Sequence, residues 1–248
     1  IPATRLARNP KLWQLLGVQP GEAVKIPPRL FEVASERELR ELVRELREKT
    51  GGVPVGIKIG ATQWLEQELE ILVRAEPDFL AIDGLEGGTH GNLASSLDAL
   101  GLPALYALVR ARRFLEKKKL SGRISLLVGG GLYSSMDFLK ALALGADAVF
   151  IGTIALLALV HTQAVKVLPW EPPTTLIFNR GRLKQKLHIE QGAESLANFL
   201  KASVQEMQVA ALTLGKDHLN KVDKSDLSSV NRELATYLGI KWCGDPAV

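Results

Sequence analysis

A chain of 248 residues and 27.0 kDa, 46% hydrophobic and 23% charged, has the composition of one globular α/β domain or two small ones. Its net charge of +4 marks neither a nucleic-acid-binding arm nor an acidic tail, and the pI near 9.2 does not change that. A lone cysteine, Cys243, excludes an internal disulfide framework and any site needing several thiolates, and fits a reducing cytoplasmic compartment. The most apolar run, residues 148–160, is too short for a membrane span and contains Gly152 and Thr153. The chain opens on Ile1 rather than methionine, which fits a processed product or a fragment.

Residues 1–30 are punctuated by Pro2, Pro10, Pro20, Pro27 and Pro28 and read as irregular structure with a short helix near 11–16. A helix follows. Ser35 and Glu38 form a capping box, Leu39, Leu42, Val43 and Leu46 form one apolar stripe, and Gly51-Gly52 ends it. A unit then repeats: an apolar run, a glycine-rich or small-residue loop, and an amphipathic helix. The runs are 53–59, 79–83, 124–128 and 148–151, with helices near 65–73, 103–119 and 134–144, and an apolar helix after Gly152-Thr153. Near-continuous apolar strands alternating with helices predict a parallel sheet covered on both faces, doubly wound or closed as a TIM-type β/α barrel.

The pattern changes after Pro169. A short strand is predicted over 175–179 and a long helix over 192–214, with Leu196, Leu200, Val204, Met207 and Leu214 packing inward. A last helix is predicted over 226–238. Residues 1–168 therefore read as a β/α barrel portion and 169–248 as a helical extension packed on it.

Ligands of parallel α/β folds sit at the carboxyl ends of the strands, which selects four loops. Lys58 lies inside an apolar strand and either points at an anion or ring edge, snorkels from the strand end, or pairs with a core carboxylate. The segment 83–92 has four glycines in ten residues, with Glu86, Thr89, His90 and Asn92 among them. It reads as a close-approach ligand loop or as a flexible surface loop. Gly129-Gly130-Gly131 and Gly152-Thr153 each join a strand to a helix start, where backbone amides attract anions. Without a ligand they are two tight turns. Arg110, Arg112, Arg113, Lys117, Lys118 and Lys119 share one helix and read as a solvated face, not a nucleic-acid patch. Arg180, Arg182, Lys184 and Lys186 alternate like an exposed edge strand.

At these loops the sequence resembles the FMN-binding synthase domain of glutamate synthase, in particular its archaeal-type stand-alone proteins. The matching segments are Pro27-Pro28, Val55-Gly56-Ile57-Lys58, Ile82-Asp83-Gly84-Leu85-Glu86-Gly87-Gly88-Thr89, Leu102-Pro103-Ala104, Val128-Gly129-Gly130-Gly131-Leu132 and the run 145–156, in unbroken order. The resemblance implies the second half of an FMN β/α barrel. Lys58 and Glu86 are the implied catalytic residues, with Lys58 at the flavin's pyrimidine edge and the oxo acid. Gly87, Gly88 and Thr89 would lie beside substrate and flavin, and Gly129, Gly130, Gly131, Gly152 and Thr153 at the phosphate. The implied reaction adds ammonia, usually channelled from glutamine, to 2-oxoglutarate, and reduced flavin delivers hydride to the resulting imine.

Residues 160–166 lack the cysteine run that the family places there to bind an iron–sulfur cluster, so no cluster is expected from this chain. That departure keeps open a degenerate flavin- or phosphate-binding subunit, or an N-methylglutamate synthase-type subunit. Four units cannot close an eight-stranded barrel. Residues 53–59 are therefore expected to pair, in the functional protein, with a missing N-terminal segment, a companion subunit or a second copy. No partner nucleic acid or membrane is expected.

Overall fold

The computed structural model describes residues 19, 33–87, 100–178 and 181–246; the helix expected near 11–16 lies outside them. Helix α1 spans Glu36–Lys49 and starts as its sequence dictates. Ser35 accepts a hydrogen bond from the Glu38 amide, and the Glu38 carboxylate accepts one from the Ala34 amide at 2.7 Å. Leu39 and Val43 are buried, whereas Leu46 is exposed, so the apolar stripe is narrower than expected. Gly51 and Gly52 close the helix at φ of 70° and 93°.

Four parallel strands follow: β1 (Gly56–Gly60), β2 (Phe79–Asp83), β3 (Ser125–Gly129) and β4 (Ala148–Phe150), side by side in that order. Helices α2 (Leu65–Arg74), α3 (Ala104–Lys117) and α4 (Ser135–Ala143) connect them, and α5 (Thr153–Val160) leaves β4. Side chains alternate across a strand, so each strand has two roles. Leu80, Ile82, Leu126 and Val128 point to one face and pack with Leu65, Leu69, Leu108 and Leu115 of the helices, all of them essentially inaccessible. Each such burial stabilises by roughly 2 kcal/mol. The other face carries Lys58, Ala81, Asp83, Leu127, Gly129 and Phe150, and Phe79 lies across Gly56, where a Cβ would sit 2.0 Å from the ring. Among the described residues the sheet is open, with β1 and β4 at its edges.

The amino ends of the strands are locked by one device used twice. Asp78, just before β2, accepts from the Val55 amide at 2.7 Å and from Arg47 of α1 at 2.8 Å. Asp147, just before β4, accepts from the Leu126 amide at 2.7 Å and from Arg112 of α3 at 2.9 Å. Arg112 also donates to the Gly145 carbonyl and is buried, which corrects the expectation that it belongs to a solvated face. Its role was hidden because its partners lie more than thirty residues away in sequence.

Beyond α5 the expected strand over 175–179 is instead a 3₁₀ turn, Pro173–Ile177, because Pro172 and Pro173 set a helical start. Of the edge strand expected from Arg180, Arg182, Lys184 and Lys186, Arg180 lies outside the described residues, and Lys184–Lys186 is a 3₁₀ turn. The long helix, α6, spans Ile189–Thr213, and its buried face is Gly192, Ser203, Met207 and Ala211. Met207 packs inward as expected and Leu196 is half-buried, whereas Leu200, Val204 and Leu214 are exposed and smaller residues complete the inward stripe. The last helix, α7, is Arg232–Leu238, capped by Asn231, and Asp226 ends a separate turn. Ser228–Ser229 (β5) and Lys241–Trp242 (β6) form a small parallel pair beside it.

Two expectations follow from the locked strand ends. Asp147→Ala leaves the buried Arg112 guanidinium and the Leu126 amide short of an acceptor, and should cost about 2–3 kcal/mol in denaturant unfolding. The hydrogen bonds from Arg47 and the Val55 amide hold the Asp78 carboxyl below its ordinary value. A depressed carboxyl adds stability that is present above its unfolded value of about 3.9 and fades as pH falls through the folded one. Asp78→Asn should therefore flatten the acid limb of the stability profile below about pH 4 and leave its slope near neutrality unchanged.

Candidate functional site

The carboxyl ends of the four strands meet around one cavity of about 510 Å³. Its wall includes Lys58 from β1, Asp83 from the end of β2, Gly129 from the end of β3, and Phe150 from the end of β4. Lys58 projects from the face opposite the core. Its Nζ lies 2.7 Å from Asp83 Oδ2 and 5.6 Å from the centre of the Phe150 ring. Lys58 thus pairs with a carboxylate, and its side chain remains about half exposed. Asp83 was not singled out as a site residue from sequence. The available signal was an acid closing an otherwise apolar strand, two positions beyond the residue level with Lys58.

The glycines around this pair divide by what they make room for. At Gly129 a Cβ would lie 2.6 Å from Asp83 Oδ1, so this glycine seats the carboxylate. Gly130 has a φ of 109°, and a Cβ there would lie 2.9 Å from the Gly87 amide nitrogen. Gly131, at φ 66°, sits against the Glu86 side chain. Gly84 fills a contact with the start of α3, where a Cβ would come within 2.3 Å of the Ala104 nitrogen. Gly152 differs from all of these. Its φ is −120° and ψ −82°, and among the described residues nothing lies within 4 Å of the Cβ position.

Glu86 and Gly87 form a 3₁₀ turn with Leu85. One Glu86 oxygen accepts the Ala104 amide of α3 at 3.0 Å, so the carboxylate works as a helix cap while it lines the cavity. Gly88, Thr89, His90 and Asn92 lie outside the described residues. Two helix starts face the cavity from neighbouring units: α4, entered through 129–131 and capped by a Ser134–Asp137 box, and α5, entered through Gly152-Thr153. Burial raises the Asp137 carboxyl, but bonds from Ser134 and Tyr133 outweigh this and leave it below the ordinary value. Among the described residues, the amides of Gly130, Gly131 and Gly152 have no backbone acceptor. These amides, with open space at Gly152, can hold an anion, while Lys58, Asp83 and Phe150 offer a charged pair and a ring beside it. No cluster of metal-ligating side chains occurs among the described residues.

Comparison with known proteins identifies the family. The conserved region in glutamate synthase matches residues 9–217. The chain is 30% identical over 219 residues to a glutamate synthase large subunit-like protein of Rhizobium meliloti, covering 82% of this chain and 49% of that protein. It is 32% identical over 224 residues to the archaeal glutamate synthase [NADPH] of Archaeoglobus fulgidus, covering 88% of this chain and 44% of that one. A solved flavocytochrome b2 variant with benzoylformate superposes with a TM-score of 0.48 at 18% identity, covering 85% of this chain and 41% of the other. The chain spans about half the length of the curated relatives it matches. With more than two thirds of its residues inside the matched region, this chain belongs to the glutamate synthase family.

Proposed function

We propose that this chain supplies part of an FMN-dependent glutamate synthase-type oxidoreductase, reducing aminated 2-oxoglutarate to glutamate. The observation that carries the reading is Gly152. It is the cap residue of a helix start facing the cavity, and among the described residues nothing occupies the space where a side chain would be. Open space beside the amides of a helix start is what close approach of a phosphate requires.

In this reading the amides of Gly130, Gly131, Gly152 and Thr153 hold the phosphate, and Gly87, Gly88 and Thr89 lie beside flavin and substrate. Gly129 acts at the same loop by seating Asp83. Lys58 holds the flavin's pyrimidine edge and the oxo-acid carboxylate, using donors left over from its bond to Asp83. Glu86 holds the 83–87 turn against α3 and presents its free oxygen to the cavity. Bound there, FMN would supply the hydride chemistry of reductive amination. Ammonia or glutamine would supply nitrogen. The open edges of the sheet would be completed by an N-terminal barrel half, a companion subunit or a second copy. Residues 1–168 would form the barrel portion and 169–248 the extension packed on it. With one cysteine, the isolated chain would hold no thiolate-ligated cluster, which takes about three or four.

The Lys58–Asp83 pair favours a second reading, a flavin- or phosphate-binding subunit without glutamate synthase activity, because Asp83 already neutralises the ammonium. Ammonia-dependent glutamate formation by the assembled protein separates the two.

Three outcomes are expected. Purified full chain should take up FMN and absorb in the blue, and a colourless protein that refuses added FMN would contradict the reading. Gly152→Ala should leave the chain folded at a cost of about 1 kcal/mol for the poorer helix cap, yet weaken FMN binding at least about tenfold in fluorescence titration, because the methyl takes space the phosphate needs. Lys58→Ala should lower flavin retention, measured as the flavin-to-protein absorbance ratio.

A further inference from the structure

Helix α6 contributes no residue to the cavity wall, yet its contacts converge on the two helices that start there. Those helices are short. Helix α4 has nine residues and α5 eight, and α5 is apolar on every side, so both depend on packing for their placement even though Ser134 caps α4. At α4, the Glu206 carboxylate of α6 accepts a hydrogen bond from Ser135, the first helical residue after the 129–131 loop. At α5, Ser195 of α6 donates to the Ala158 carbonyl at 2.6 Å, one of the carbonyls that a helix end leaves unpaired. Gly192 lets the two helices approach, since a Cβ there would lie 3.1 Å from Leu159 Cδ2.

Just beyond the Glu206 tie, Met207 and Ala211 pack in one cluster with Phe138 and Leu139 of α4. Leu132, next to the glycine triplet, and Ile151 and Ile154, which flank the Gly152 turn, join the same cluster with Phe199 of α6. One rigid helix thus grips the supports of both glycine loops.

We propose that α6 is a strap that fixes the 129–131 loop and the Gly152-Thr153 turn at one mutual distance, so that both close on a single phosphate, with Glu206 and Ser195 as positioning residues. The inference rests on the phosphate reading of those loops. Losing either tie should let one loop drift from the other and weaken only the part of the ligand that both must hold.

FMN and riboflavin differ by that phosphate alone, so paired fluorescence titrations of the full chain test the strap. Glu206→Ala and Ser195→Ala should each weaken FMN binding about tenfold and leave riboflavin within about twofold. Removing the Glu206 charge would by itself favour an anion, so a loss carries the opposite sign to the electrostatic effect. Glu206→Gln, which can still accept from Ser135, should restore FMN binding. FMN binding unchanged in both variants, or FMN and riboflavin weakened equally, overturns the strap. A wild-type chain that fails to prefer FMN over riboflavin overturns the phosphate reading and the strap together. A wild type that prefers FMN beside variants that do so equally overturns the strap alone.

Discussion

The period of two along four short strands governs this structure. Every second side chain of β2 and β3 is driven into the helix layer, and Leu80, Ile82, Leu126 and Val128 leave water almost completely. Because the core claims one face, the other is free to carry residues a core would not accept. Lys58, Asp83 and Gly129 all occupy that second face, within two residues of the ends of their strands. A one-residue slip in register would exchange the faces and bury the lysine.

The two ends of the sheet carry different duties. At the amino ends, Asp78 and Asp147 each join a strand amide to a helix arginine, a purely structural device that sets strand spacing. At the carboxyl ends, glycines replace such locks, and the amides of Gly130, Gly131 and Gly152 have no backbone acceptor among the described residues around an open cavity. Stability is concentrated at one end and exposed chemistry at the other, the division expected of parallel α/β folds. Helix α6 links the two carboxyl-end loops from outside.

What was legible in the sequence was local. The Ser35–Glu38 box, the four apolar runs and the glycine-terminated helices follow from short-range pattern, and they place Lys58 and the glycine loops at the correct end of the sheet. What was not legible depended on distant partners. Arg112 looks like its charged neighbours on α3 until Gly145 and Asp147 fold against it. Asp83 becomes Lys58's partner only through the β1–β2 register. The inward face of α6 was legible at Met207 but not at Leu200 and Val204, which stay exposed, because close approach to α5 is made through Gly192 and Ser195. Alternating cations at 182–186 resemble a strand, but a local turn settles them first.

The central claim is that unpaired backbone amides at two neighbouring helix starts, set beside the Lys58–Asp83 pair, hold the phosphate of a flavin. Amide hydrogen exchange read residue by residue tests it most directly, with the chain alone, with riboflavin and with FMN. The account predicts slowed exchange at Gly130, Gly131, Gly152 and Thr153 with FMN and little change there with riboflavin. Exchange at those four amides that FMN leaves unaltered, with protection arising elsewhere on the chain, would contradict it.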